Sequence, residues 1–110
     1  MAQEEWKPSA ETNAAIRQWM TAAGLAVSST RYYHEDEVYA WRHEAADGSP
    51  TLWVARTVLE SYDPPALVAA LDRLQIAERM RDRPKARFLI ADEDGAVTVS
   101  PWGHGPYRGA

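Results

Sequence analysis

The chain contains no cysteine, which excludes disulfides, thiolate nucleophiles, cysteine-bound zinc and cysteine-ligated iron–sulfur clusters. It has one phenylalanine against five tryptophans and five tyrosines. Its aromatic surface is therefore almost entirely amphipathic, suited to places where one edge of a ring packs and the other stays wet. Long apolar runs are also missing: no window approaches the roughly 20 residues needed to span a bilayer. The N-terminal MAQEEWKPSAE carries acids rather than the apolar stretch of a secretory signal. A cytoplasmic protein without membrane contact is the expectation. An excess of positive charge is lacking too; the net charge of −4 argues against attraction of the whole protein to nucleic acid or an anionic membrane.

What is present suits one domain, residues 1–110, with a single hydrophobic core: 45% of residues are apolar and 25% charged. The charge is uneven. Residues 1–63 hold five basic and ten acidic side chains, and 64–110 hold seven and six. The local extreme is RLQIAERMRDRPKAR, 73–87, with six basic residues and two acidic ones.

Periodicity divides the chain as follows. Ile16, Trp19, Met20 and Ala23 recur at helical spacing after Ser9, a fitting N-cap, and Gly24 and Leu25 stand where the helix would close. AVSSTRYYHE, 26–35, reads as a strand or as a strand after a loop. EVYAWRHEA, 37–45, and TLWVARTVLES, 51–61, read as two strands of a hairpin around Asp47-Gly48, with Pro50 closing the loop. A register placing Arg42 near Arg56 puts Tyr39, Trp41 and His43 on one face with Trp53, Ala55, Thr57 and Leu59. Asp63-Pro64-Pro65 starts a second helix, its stripe formed by Leu67, Ala70, Leu71, Leu74 and Ala77, and Pro84 ends it. RFLIA, 87–91, and AVTVS, 96–100, flank the turn 92–95, and 101–110 reads as an irregular tail. The expected fold is α+β: two helices packed on a mostly antiparallel sheet of four or five strands, in the order α-(β)-β-β-α-β-β.

Three chemistries compete for the remaining features. YYHEDEVYAWRHE, 32–44, gathers two histidines, four carboxylates and four aromatic rings. A metal would want three or four converging ligands. His34 and Asp36 can share a strand face, with His104 as a distant third, but His43 has the opposite parity and no HExxH spacing occurs. A solvated turn before the hairpin is the simpler reading. His43 as a general base lacks an orienting partner, because Glu44 faces the other way. Asp92, Asp94 and Gly95 echo a calcium loop but stop short of its further ligands. The tail glycines, Gly103 and Gly105, lack the GKS or GKT ending of a phosphate loop. No cofactor or metal is expected, and no catalytic residue is assigned.

The basic residues Arg73, Arg79, Arg81, Arg83, Lys85 and Arg87 suit a helix C-terminus, where positive charge is favoured. They would also form a phosphate-facing patch if the sheet brings Arg31, Arg42 and Arg56 to them, with Trp41 or Trp53 stacking bases. Tyr39, Trp41, Trp53, Trp102 and Tyr107 are the candidates for a contact with another protein or a second copy, since aromatic residues and arginine are enriched in such interfaces. The leading expectation is a non-catalytic protein-binding, regulatory or assembly module, with self-association included. The alternatives are a nucleic-acid or phosphate-binding protein using 73–87, and a small metal- or histidine-dependent enzyme. A small apolar ligand between sheet and helix is compatible with the same pattern.

Overall fold

The computed structural model describes residues 6–46 and 48–101, Pro101 by its backbone only. Helix α1, Ala10–Ala22, begins where Ser9 accepts a hydrogen bond from the Thr12 N–H at 3.1 Å. It ends in a Schellman closure: Leu25 N donates to Met20 O at 2.8 Å and Gly24 N to Thr21 O at 3.0 Å. Gly24 takes φ +80°, a conformation a side chain would strain. The closure returns Leu25 to the core beside Ile16 and Met20, so the apolar stripe and the end of α1 work together.

Strands β1 (Ser29–Tyr33), β2 (Val38–Arg42) and β3 (Thr51–Ala55) form an antiparallel meander. Beyond β3, three helices follow: α2 (Arg56–Ser61), α3 (Pro64–Arg73) and α4 (Ile76–Asp82). The chain returns as β4 (Phe88–Glu93), parallel to β3, and closes with β5 (Ala96–Pro101), antiparallel to β4. Among the described residues the sheet is thus five-stranded and mixed, with spatial order β1-β2-β3-β4-β5. A parallel neighbour needs a long crossover, which the three helices supply.

This corrects the expected two-helix arrangement on a mostly antiparallel sheet: the described residues form four helices, in the order α-β-β-β-ααα-β-β. Two local causes account for the difference. First, TLWVARTVLES is a strand only to Ala55. Val58 and Leu59 are both buried in the main core, and adjacent strand residues would face opposite ways, whereas one helical turn brings both to one side. Second, the long helix expected from Pro64 breaks at Gln75, which adopts φ 56°, ψ 42°. Leu67 and Ile76 are both fully packed, yet nine residues make about two and a half turns and would place them on opposite sides of an unbroken helix. The left-handed residue resets the phase, and Arg79 Nε donates to the Leu74 carbonyl at 2.9 Å, satisfying an end that the break exposes.

The main core lies between the helices and one face of the sheet. Tyr32, Tyr39, Trp41, Leu52, Val54, Ile90 and Val97 meet Ile16 and Met20 of α1, Val58 and Leu59 of α2, Leu67 and Leu71 of α3, and Ile76 and Met80 of α4. The Trp41 indole N–H, at 0% exposure, donates to Asn13 Oδ1 at 2.9 Å and pins the sheet centre to α1. Arg81 reaches across to the Ala23 carbonyl at 2.7 Å, tying α4 to the end of α1. Among the described residues no helix is long and apolar enough to cross a membrane.

Candidate ligand groove on the open sheet face

The other face of the sheet carries a smaller buried cluster, Val38, Ala40 and Trp53, with Tyr33 and Leu89 packed against it. Strand alternation brings Ser29, Arg31 and Tyr33 of β1, Val38, Ala40 and Arg42 of β2, and Thr51 and Trp53 of β3 to this side. The register decides which of them meet. Ala40 pairs with Trp53 and Arg42 with Thr51, while Tyr39 pairs with Val54 and Trp41 with Leu52. The register expected from Arg42 near Arg56 is therefore displaced, and the single aromatic face is divided. Tyr39 and Trp41 lie under the helices and Trp53 lies opposite. The cause is the turn. Backbone bonds run from His43 N to Pro50 O at 2.9 Å and from Ala45 N to Gly48 O at 3.0 Å, closing the hairpin between Ala45 and Gly48. Asp47 itself lies outside the described residues.

A groove of about 730 Å³ occupies this face, within the range of about 300–1,000 Å³ usual for small-ligand sites. Its floor is Ala40 and Trp53, and its sides include Ser29, Arg31, Tyr33, Arg42, Ser49 and Thr51. The segment 84–87, entering β4, forms the far wall and contributes Lys85 and Arg87. Trp53 is level with Leu89 across the parallel pair, and Arg87 lies two residues before Leu89. Arg42, paired with Thr51 on β2, and Arg87, just before β4, both line the groove. The wall depends on close approach: a Cβ on Gly48 would meet Pro84 Cβ at 3.1 Å and the Pro84 carbonyl oxygen at 3.2 Å.

The side chains of the groove are partly held. The Arg31 guanidinium lies over the Tyr33 ring at 4.9 Å from its centroid. Tyr33 in turn meets Trp53 at 5.3 Å between ring centroids, tilted by 46°. Arg42 donates to Ser49 Oγ at 3.0 Å and pairs with Glu44 at 3.3 Å. That pair is exposed on both sides, at 45% and 65%, so it neutralises Arg42 only weakly.

The basic segment 73–87 is divided by the fold. Lys85 and Arg87 reach the groove and join Arg31 and Arg42. Arg73 donates to the Val97 carbonyl at 3.1 Å, Arg79 caps α3, Arg81 binds Ala23, and Arg83 is the exposed C-cap of α4. Arg56 stands apart from the groove, over Trp6 at 5.0 Å and beside Glu60 at 3.1 Å. Its guanidinium is held further above its ordinary range by hydrogen bonding, first with Tyr32 and then with Glu60.

His34, Glu35, Asp36 and Glu37 form the turn between β1 and β2, with His34 exposed. His43 uses Nδ1 at 2.8 Å from the Ala26 carbonyl, bracing the hairpin against the segment after α1. Among the described residues no group of three or more histidines and carboxylates is placed to hold a metal. His104, Trp102 and Tyr107 lie outside the described residues.

A second concavity, about 510 Å³, lies between α1 and α3 and is lined by Ala15, Gln18, Trp19, Ala22, Pro64, Pro65 and Val68. Trp19, one of its lining residues, donates from its indole N–H to Asp72 Oδ1 at 2.8 Å.

Sequence reasoning missed Tyr33, Ser29, Ser49 and Thr51 as groove residues. The available signal was the alternation Ser29, Arg31, Tyr33, which gains meaning only when 29–33 is read as a paired strand. Comparison with protein-family models, with curated proteins and with solved structures found no match to this chain.

Proposed function

We propose that this chain is a non-catalytic binding module that holds a phosphate-bearing ligand on the open face of its sheet, in a cytoplasmic setting. The observation that carries the reading is the convergence of Arg31, Arg42, Lys85 and Arg87 on one concave surface. Among the described residues that line it none is acidic, in a chain whose net charge is −4. A cationic cluster against that background focuses attraction locally. Arginine forks match phosphate oxygens two at a time, lysine supplies a point charge, and the hydroxyls of Ser29, Ser49 and Thr51 offer further donors. The groove volume and the acidic remainder of the chain favour a small ligand over a long polyanion. His43 serves the hairpin, which supports binding rather than turnover.

The test is calorimetric titration of the full chain with pyrophosphate at low and at physiological salt. Binding that weakens with salt, and that falls about tenfold or more when Arg42 and Lys85 are both replaced by alanine, is the expected result. Absence of binding at millimolar pyrophosphate and low salt would refute the reading.

A contact with another protein is the second reading, favoured by the exposed apolar cleft between α1 and α3 around Trp19. Native mass spectrometry of the chain and of Trp19→Ala tests its simplest form, a dimer that the substitution dissolves. A monomer in both would remove self-association through this cleft.

A further inference from the structure

We infer that the ligand is a nucleotide, its phosphates at the basic end of the groove and its base at the ring end; this rests on the phosphate-binding reading. The groove is polarised along the strands. At one end the row Ser29, Arg42 and Thr51 crosses three strands, with Ser49, Lys85 and Arg87 beside it. One step further along β1 to β3, the row is Arg31, Ala40 and Trp53, and Tyr33 stands beyond it. Two residues along a strand separate the rows by about 7 Å, the order of distance that one sugar places between a phosphate and its base.

The ring end offers flat surface at Arg31, which is exposed, and at the half-buried Tyr33, while Trp53 is itself buried beneath them. Arg31, Tyr33 and Trp53 form a ladder, with 4.9 Å from guanidinium to ring and 5.3 Å between the ring centroids. Ala40 leaves the floor low between Arg31 and Trp53. Bases stack on aromatic rings and on guanidinium planes alike, and this tolerates any base because each presents a flat face. An acidic peptide would use the cationic row and leave the ladder without a role. A long single strand would meet the net negative charge of the chain. A mononucleotide, or the end of a short strand, uses both ends of the groove within its volume.

Adenosine diphosphate and pyrophosphate share a diphosphate group and differ by the nucleoside, so calorimetry of the unmodified full chain with each isolates the ring end. The expected result is tighter binding of adenosine diphosphate, by about tenfold or more. Arg42→Ala should weaken both, because the basic end is common to the two probes. Equal affinity of the unmodified chain for the two probes would overturn the nucleotide inference and leave the phosphate reading standing. Failure of both probes to bind would overturn both. The comparison between probes needs no substitution and so does not depend on a variant that folds.

Discussion

Asn13→Ala takes from the Trp41 indole the acceptor it meets at 2.9 Å. Trp41 is fully buried, so its N–H has no route to water in the folded state, and an unsatisfied buried donor costs about 1–3 kcal/mol. Alanine returns part of that, about 0.5 kcal/mol, because it is the better helix former within α1. The net loss is roughly 0.5–2.5 kcal/mol, which at this chain length lowers the melting temperature by about 2–10 °C. The loss of the exposed Arg17 to Asn13 contact, at 3.3 Å, adds little. Thermal or urea denaturation of a double-mutant cycle separates the bond from other effects of the substitution. Trp41→Phe removes the donor at its own packing cost. In that background Asn13→Ala should be neutral or stabilise by about 0.5 kcal/mol, giving a coupling of about 1–3 kcal/mol. An equal cost of Asn13→Ala in both backgrounds would refute the pin between α1 and the sheet.

Three further outcomes follow from the local geometry. Asp63 caps α3 by accepting from the Ala66 N–H at 2.9 Å; Asp63→Ala should cost about 1 kcal/mol in urea denaturation, with Asp63→Asn close to wild type, and an alanine variant of unchanged midpoint would sink the assignment. Gln75→Gly should raise stability by up to about 1 kcal/mol, since a left-handed residue with a side chain costs roughly 1–2 kcal/mol and glycine returns part of that through its freer unfolded chain; a lowered midpoint would contradict it. The Tyr62 hydroxyl donates to Asp92 Oδ2 at 2.9 Å, and this hydrogen bond, ahead of desolvation and the carboxylate charge, raises its pKa above 10.0. A raised value means the folded state holds the proton more tightly, so the stabilising contribution is complete below the unfolded pKa of about 10 and is lost as pH rises through the higher folded value. Ultraviolet titration of the phenols, differenced against Tyr62→Phe, should show its midpoint fall in Asp92→Asn, and a midpoint indifferent to that change would refute the cause.

The alternation and punctuation of the chain were enough to place most elements. Ser9 and the Gly24-Leu25 closure bound α1, Asp63-Pro64-Pro65 starts α3, and the acidic turn at 92–95 separates β4 from β5, because each of these depends on backbone conformations that the local residues prefer. The absence of cysteine likewise rules out whole chemistries without any coordinates. Tertiary structure decided the rest. Val58 and Leu59 look equally at home in a strand, and only their joint burial against the core makes 56–61 a helix. The break at Gln75 arises because Leu67 and Ile76 are drawn to the same core from a stretch too straight to serve both. The groove is the clearest case. Arg31, Arg42, Lys85 and Arg87 are spread over more than half the chain, and which rings share their face was set by the hairpin closing between Ala45 and Gly48. A strand's two faces are legible from alternation, but the partner each face meets is fixed by cross-strand register, a long-range property that local sequence does not carry.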